Sequence, residues 1–246
     1  TVEYDGTGFK GFQRQRTART VQGVLESAIS SVVSANVGIE AAGRTDSGVH
    51  AIGQVAHFHT QISLEARRIA PAINYHLPND IVVHQAEDMP ESFNARYDSL
   101  WKRYRYRIYN GPQETALHRT TSWWIRAPLE LDAMREAAEH FLGENDFNAF
   151  RSVHCDAEHA FREMFSVTID RIERPPVGHF IDIVFHANAF CRHMCRILAG
   201  TLAEVGMGKY SPDDIPDIMA SRDRRRGGRT APPGGLTLLE VAYPEA

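Results

Sequence analysis

The residues from Trp101 to Tyr109 alternate strictly between two kinds of side chain. Tyr104, Tyr106 and Ile108 fall on one side of an extended chain, and the arginines at 103, 105 and 107 fall on the other. A repeat of two residues is the period of a β-strand, whereas a helix would mix the two sets. The segment therefore predicts a strand with one aromatic face and one basic face.

Apolar residues in other segments recur at helical spacing. Residues 21–34 predict an amphipathic helix with Thr20 as its N-cap, and residues 64–76 predict a second helix that Pro71 kinks. Further helices are predicted at 131–142, where Gly143 is the stop, and at 194–205 and 213–222. Strands are predicted at 1–4, 55–59, 81–84, 164–172, 179–187 and 236–243, with Pro175-Pro176 and Gly178 between the fourth and fifth.

This mixture of strands and helices predicts an α+β fold. The length of 246 residues suits one or two domains, and the order of elements is similar in the two halves. We therefore predict two similar-sized α+β lobes, the first over residues 1–100 and the second over 101–246. No apolar run approaches the roughly 20 residues that span a bilayer, so no membrane partner is expected.

Basic residues are concentrated in three clusters, although the net charge is −4. The clusters lie at residues 10–19, 96–107 and 222–229. A protein that is acidic overall can still present a basic cleft to phosphates, so the clusters point to nucleic acid. A solvated face is the alternative for any one cluster, and we predict it for Arg222–Arg226, which matches no motif.

The chain has three cysteines, too few and odd in number for a disulfide framework. Reduced thiols and the absence of a signal peptide predict a cytoplasmic protein. The sequence opens on Thr1 inside a predicted strand and without an initiator Met, so we expect further residues upstream.

The densest polar cluster is Ala42–His50, which reads Ala-Gly-Arg-Thr-Asp-Ser-Gly-Val-His. Two glycines bracket its centre and predict a tight, irregular loop between a helix and a strand. Arg44 and Asp46 stand two residues apart, so the loop can present a carboxylate beside a cation. Composition alone leaves two interpretations open: a catalytic loop, or a structural turn in which Asp46 caps backbone amides.

Residues Gly43–Ala51 closely resemble the active-site motif of the TruA-type tRNA pseudouridine synthases. Other segments resemble further motifs of that family, in the same order and over essentially the whole chain. They are Tyr4–Phe9 with Gly11–Gln15, Lys102–Tyr106, Asn188–Arg196, and Arg229–Pro233 with Gly235 and Leu236.

The resemblance implies a pseudouridine synthase fold, with two similar α+β lobes flanking a central active-site cleft, and a homodimer that uses no cofactor and no metal. It implies conversion of uridine to pseudouridine at positions 38, 39 and 40 in the anticodon stem-loop of tRNA. The family's catalytic aspartate falls on Asp46 and its active-site tyrosine on Tyr104. The arginine that pairs with the aspartate falls on Arg196. On its strand, Tyr104 as a plain core aromatic is the alternative.

The implied reaction breaks the N1–C1′ bond of uridine, turns the base and joins C5 to C1′. A carboxylate suits an electron-poor sugar carbon, and Arg44 and Arg196 could keep Asp46 ionised by opposite charge. The sequence leaves open whether Asp46 attacks the sugar, attacks the base or takes the 2′ proton. Tyr104 could stack on the uracil, and its hydroxyl could take the C5 proton.

Binding of an RNA stem-loop requires cations for its phosphates and a target base that leaves the stack. The candidate phosphate ligands are Lys10, Arg14, Arg44 and Arg103. Beside Arg196, the small residues Ala199, Gly200 and Ala203 would let another backbone or a substrate approach closely.

Two other classes of function remain open on the sequence. A non-catalytic RNA-binding module with the same fold would bind tRNA without Asp46 and would make no modified product. Cys191, His193 and Cys195 suggest a zinc-dependent hydrolase. However, both cysteines fall on a predicted helix and no second ligand pair lies at zinc spacing, so we predict no metal site.

Overall fold

The computed structural model describes residues 1–173 and 177–244. In chain order its strands are β1 (Val2–Tyr4), β2 (Glu40–Ala41), β3 (His50–Gln54), β4 (Ala56–His57), β5 (Ile81–Val83), β6 (Trp101–Asn110), β7 (Trp123–Ile125), β8 (Gly143–Asp146), β9 (Phe161–Glu173), β10 (His179–Ala187) and β11 (Leu236–Ala242). Its α-helices are α1 (Val21–Val33), α2 (Ala66–His76), α3 (Leu131–Glu139), α4 (Met194–Gly206) and α5 (Asp214–Ser221). The predicted α+β fold class is confirmed. Pro175 and Pro176, predicted between two strands, lie outside the described residues.

The chain divides into two compact units. The first comprises Thr1–Leu100 and Thr237–Ala246, and the second comprises Trp101–Leu236. Residues 237–244 are predicted to lie in the second lobe but belong to the first unit. The reason is that β11 pairs in parallel with β3, where Thr237 lies opposite His50. Such a pairing between distant residues leaves no trace in any local sequence pattern.

The first unit contains strands in the order β5-β1-β3-β11, and a separate antiparallel pair, β2 and β4. Strand β1 is antiparallel to both of its neighbours. Helix α1 begins where predicted, because the Thr20 hydroxyl oxygen accepts a hydrogen bond from the Gly23 amide at 3.3 Å. The helix packs against α2, which contains Pro71 and packs in turn against β5.

The second unit is an antiparallel sheet in the order β6-β10-β9-β8, and β7 pairs in parallel with β6. Helix α4 packs on β6 and on α3. The alternation predicted for β6 is confirmed: Tyr104, Tyr106 and Ile108 are buried, and the three arginines are half-buried. The aromatic face of β6 therefore contributes to the core of this unit.

Four local predictions differ from the structure. Of the strand predicted at 55–59, only Ala56–His57 is a strand, and the preceding β3 at His50–Gln54 was not predicted. Gln54 ends β3 with a fully buried side chain that donates to the Gly43 carbonyl. Strand β8 is polar and at an edge, so it carries no apolar alternation to detect. Helix α3 ends at Glu139 rather than 142. Helix α4 begins at Met194, after His193 in a left-handed conformation, so the prediction that Cys191 lies on a helix is wrong. In the described part of the chain, no helix is both long and apolar enough to cross a membrane.

Candidate active site

The Asp46 loop, residues 43–49, is anchored by the buried side chain of Thr45. Its hydroxyl lies 2.8 Å from the Tyr4 hydroxyl. The Gln54 amide nitrogen donates to the Tyr4 oxygen at 3.3 Å and to the Gly43 carbonyl at 2.9 Å. Burial raises the pKa of Tyr4 to about 12, so its hydroxyl remains a neutral hydrogen-bonding group at physiological pH. This network fixes the loop from the inside of the first unit.

The other side of the Asp46 loop is bound to residues 9–12. The Phe12 amide donates to the Thr45 carbonyl at 3.0 Å, and the Ser47 hydroxyl donates to the Phe9 carbonyl at 3.1 Å. Gly11 has a φ of 87°, and a Cβ there would lie 3.1 Å from the Thr45 carbonyl oxygen. Only glycine combines that conformation with that close approach. The motif at residues 4–15 and the Asp46 loop therefore form one hydrogen-bonded structure.

The backbone turns sharply at Asp46. The Val49 amide donates to the Asp46 carbonyl at 3.1 Å, and Gly48 between them has a φ of 81°. A Cβ at Gly6 would lie 1.9 Å from the Val49 carbonyl oxygen, so the chain at Gly6 closes the loop from behind. With Thr45 directed inward, Asp46 is half-buried and Arg44 is exposed. The tight, irregular loop that the sequence predicts is therefore present, with Arg44 on its surface and Asp46 half-buried.

The predicted phosphate ligands of the first unit differ in their surroundings. Lys10 and Arg44 are exposed. Arg14 instead makes an ion pair with the buried carboxylate of Glu26 at 2.8 Å, although the arginine side chain itself is 69% exposed. Glu26 also accepts hydrogen bonds from the Gln22 side chain and the Ile39 amide. Arg14 therefore has a structural role that the sequence does not reveal.

We expect Arg14→Gln to lower the free energy of unfolding by about 1 kcal/mol, because a buried carboxylate loses its cation while keeping two other donors. Lys10→Gln removes the same charge from an exposed side chain and should leave stability within about 0.5 kcal/mol of wild type. Urea denaturation of the three proteins measures both values. Equal stability of the two variants would contradict the structural role of Arg14.

In the second unit, Tyr104 lies on the buried face of β6 and is 8% exposed. Its ring meets Phe190 edge to face, with the centroids 5.1 Å apart. Lys102 lies on the same face of the strand and is 9% exposed. Lys102 is a site residue that the sequence analysis does not predict. Its only signal in the sequence is its place in the Lys102–Tyr106 motif, two residues before the tyrosine.

The basic face of β6 is largely used within the sheet. Arg107 makes a two-pronged ion pair with Asp182, at 2.7 and 2.6 Å. The Nε atom of Arg105 is buried with no hydrogen-bond partner among the described residues. The Arg103 guanidinium lies 5.3 Å from the centroid of the Trp101 ring. Of the three, only Arg103 was predicted to contact RNA.

Arg196 on α4 connects the Asn188–Arg196 motif to the Arg229–Pro233 motif. Its Nε donates to the Ala231 carbonyl at 2.8 Å, and the Ala231 amide donates to the Arg196 carbonyl at 3.1 Å. The neighbouring Pro232 carbonyl accepts a hydrogen bond from the Tyr106 hydroxyl at 2.8 Å. Burial raises the pKa of Tyr106, an effect that the positive charge of Arg196 opposes. The structure therefore brings the β6 motif, the α4 motif and the C-terminal motif together.

The backbone of the Arg229–Pro233 motif approaches α4 at its small residues, where the sequence predicts a close approach. A Cβ at Gly200 would lie 1.9 Å from the Arg229 carbonyl oxygen. At the next residue of the helix, the Thr201 hydroxyl accepts a hydrogen bond from the Gly228 amide at 3.0 Å, and one turn further on Glu204 accepts one from the Arg229 amide at 3.3 Å. The sequence leaves open whether a backbone or a substrate approaches these small residues. At Gly200 it is the backbone of Arg229.

The cysteines do not form a metal site with other described residues. In residues 1–173 and 177–244, no group of three or more His, Cys, Asp or Glu side chains is placed to hold a metal ion. None of the three cysteines is joined in a disulfide; Cys155 is half-buried, and Cys191 and Cys195 are buried.

Comparison with known proteins shows similarity along nearly the whole chain. A family model described as tRNA pseudouridine synthase matches residues 1–98 and 137–244. Asp46 and Arg196 lie inside the matched segments, and Tyr104 lies between them.

Curated relatives have the same description. The chain is 43% identical to tRNA pseudouridine synthase A of Geotalea uraniireducens, over 98% of this chain and 97% of the relative. It is 43% identical to that of Alcanivorax borkumensis, over 99% and 90%, and 42% identical to that of Ruminiclostridium cellulolyticum, over 99% and 98%. The resemblance found in the sequence motifs is therefore confirmed over full-length proteins.

Proposed function

This chain belongs to the tRNA pseudouridine synthase family, and on that premise we propose that it converts uridine to pseudouridine at positions 38, 39 and 40 of tRNA anticodon stem-loops, with Asp46 as the catalytic carboxylate. The observation that supports this proposal most directly is the Asp46 loop, which is anchored on two sides and presents Asp46 from a sharp turn. Its test is release of tritium from C5 of uridine in an unmodified tRNA transcript, without added cofactor.

Asp46 is suited to this reaction because bond exchange at the sugar carbon requires a group that can act on a centre deficient in electrons. A carboxylate can attack such a carbon or take a proton beside it. The product has the same atoms as the substrate, so the overall reaction needs no oxidant or reductant. A rigid turn supports the reaction because it holds the carboxylate in one orientation before the substrate binds.

Tyr104 and Arg196 are assigned to the same reaction. We propose that the Tyr104 ring stacks on the uracil and that its hydroxyl takes the C5 proton; the edge-to-face contact with Phe190 restricts the ring. We propose that Arg196 keeps the carboxylate of Asp46 ionised, the role that the resemblance implies. Its hydrogen bond to Ala231 fixes one edge of the guanidinium.

RNA binding is assigned to Lys10, Arg14, Arg44 and Arg103, whose cations would contact phosphates of the stem. Exposure favours Lys10 and Arg44 among them, and the Glu26 ion pair reduces the net charge that Arg14 offers. We further propose a homodimer, which the family resemblance supports, and a cytoplasmic location, which three cysteines outside disulfides support.

The ring and the hydroxyl of Tyr104 are expected to contribute separately. Tyr104→Phe keeps the stacking surface and removes the proton acceptor, so we expect kcat to fall about 100-fold while KM stays within about twofold. Tyr104→Leu removes both and should also raise KM. Single-turnover tritium release at several tRNA concentrations separates the two constants. A Phe variant with wild-type kcat would eliminate the hydroxyl from the mechanism.

A further inference from the structure

Four arginines line an open cleft of about 520 Å³ in the second unit. They are Arg151, Arg222, Arg224 and Arg225, and the cleft is also lined by Asp223 and Cys155. The sequence predicts the 222–226 cluster to be a solvated helix end. In the structure, three of its arginines line the same cleft as Arg151, which comes from a distant part of the sequence.

Two of these arginines bind only neutral oxygens among the described hydrogen bonds. Arg151 donates to the Ala157 carbonyl at 2.8 Å, and Arg224 donates to the Gly227 carbonyl at 3.3 Å and the Thr230 hydroxyl at 3.0 Å. Both side chains are half-buried. A partly desolvated cation with neutral partners retains its full charge and is stabilised when an anion binds beside it.

The other two arginines of the cleft are much more exposed. Arg222 pairs with Asp146 at 2.9 Å and Arg225 pairs with Asp223 at 2.7 Å, but their side chains are 65% and 89% exposed. The Asp146 carboxylate is only 12% exposed and holds Arg222 in place, whereas both members of the Arg225–Asp223 pair are more exposed. An exposed pair of that kind is weak and can exchange one anion for another. The charge of Glu204 also acts on Arg224, but that carboxylate is itself paired with Lys209 and Arg229. Four arginines against Asp146 and Asp223 therefore leave the cleft with excess positive charge.

The cleft borders the segment that precedes α4. The Ser152 amide donates to the Arg192 carbonyl at 2.9 Å, and the Arg192 amide donates to the Cys155 sulfur at 3.4 Å. Two residues before Arg192 is Phe190, the residue that packs on Tyr104. An anion in the cleft would therefore lie close, along the chain, to the residues proposed to hold the uracil.

We propose that this arginine cleft binds backbone phosphates of the tRNA strand adjoining the modified nucleotide. The inference rests on the proposed function, because that function supplies an RNA strand at Tyr104. Guanidinium groups match phosphate oxygens in geometry as well as charge. The cleft is much larger than one phosphate ion, and its two exposed arginines can follow a strand out of the cleft, which favours RNA over free phosphate.

The test compares Arg151→Gln and Arg225→Gln with Arg171→Gln. The control removes the same charge from the same unit, and Arg171, like Arg225, pairs with an acid two residues away. Arg171 lies near the end of β9. For each cleft variant we expect about tenfold weaker binding of a tRNA transcript by fluorescence anisotropy, and a smaller salt dependence. Arg171→Gln should bind like wild type. Because Arg225 is largely exposed, its variant remains informative if Arg151→Gln folds poorly.

Cys155 provides a second measurement that does not depend on activity. Partial burial disfavours its thiolate, but amide hydrogens of Ala157 and Arg192 and the charge of Arg151 outweigh burial and lower the pKa of the thiol. The other two cysteines are buried. Iodoacetamide should therefore modify Cys155 first, and saturating tRNA should slow that modification at least about fivefold, whereas inorganic phosphate at equal ionic strength should not.

The outcomes separate the two proposals. Protection by tRNA that is lost in Arg225→Gln would support the cleft as a phosphate site. The cleft proposal would be overturned if both cleft variants bound tRNA with wild-type affinity and tRNA left Cys155 unprotected. That result would leave the proposed function standing. Protection by inorganic phosphate alone would show a small-anion site and overturn the RNA assignment. Absence of any tRNA binding by wild type would instead count against the proposed function itself.

Discussion

Asp46→Asn is expected to eliminate pseudouridine formation while leaving tRNA bound. The amide has nearly the shape of the carboxylate, so the Thr45 and Ser47 anchors of the Asp46 loop should stay intact. It has no negative charge and cannot act as a nucleophile or a base. Loss of a group of this kind lowers turnover on the order of 10⁴-fold or more. Tritium release from C5-labelled uridine in a tRNA transcript measures turnover, because joining C5 to C1′ must expel that hydrogen.

A matched control is Asp132→Asn on α3, where the side chain is fully exposed and pairs only locally with Arg135. It makes the same chemical change away from the Asp46 loop and should keep wild-type turnover. Binding affinity measured in parallel separates catalysis from folding. If Asp46→Asn released tritium at the wild-type rate, Asp46 would not be the catalytic carboxylate. If wild type bound tRNA and released none, the RNA-binding module would be the better interpretation.

Gly200→Ala should destabilise the protein by about 3 kcal/mol, although its position in a helix suggests the opposite. In an isolated helix, alanine is favoured over glycine by about 1 kcal/mol. In this structure the new Cβ would lie 1.9 Å from the Arg229 carbonyl oxygen, so either α4 or the 227–231 segment must move. Movement there would also disturb the hydrogen bonds between Arg196 and Ala231. We therefore expect turnover to fall with stability.

Thermal unfolding and tritium release on the same samples measure the two effects. A loss of about 3 kcal/mol corresponds to a decrease in Tm of about 6–12 °C for a chain of this size. Gly38→Ala is the control, because no atom lies within 4 Å of a Cβ at that position. It should not lower the Tm. A Gly200→Ala protein as stable as wild type would show that the close approach of Arg229 is not maintained in solution.

Local sequence patterns predict most of the helices and strands that surround the candidate site. The alternation along β6 places Tyr104 on the buried face, and the Thr20 cap marks the start of α1, because both signals depend only on residues close in sequence. The glycines of the Asp46 loop are also visible in the sequence, since a left-handed turn at Gly48 requires a residue without a side chain. The polar edge strand β8 and the return of β11 to the first unit have no such signal.

The sequence by itself determined the α+β class, the family and the candidate residues Asp46, Tyr104 and Arg196, because motif spacing and side-chain period are properties of the chain alone. Only the tertiary structure decided that Arg14 pairs with a buried carboxylate, that a backbone approaches Gly200 closely and that Arg151 lines one cleft with arginines of the 222–226 cluster. These features arise from contacts between residues far apart in the chain. The free energy of each contact depends on the burial of its groups and the distance between them, and both are defined only once the chain has folded.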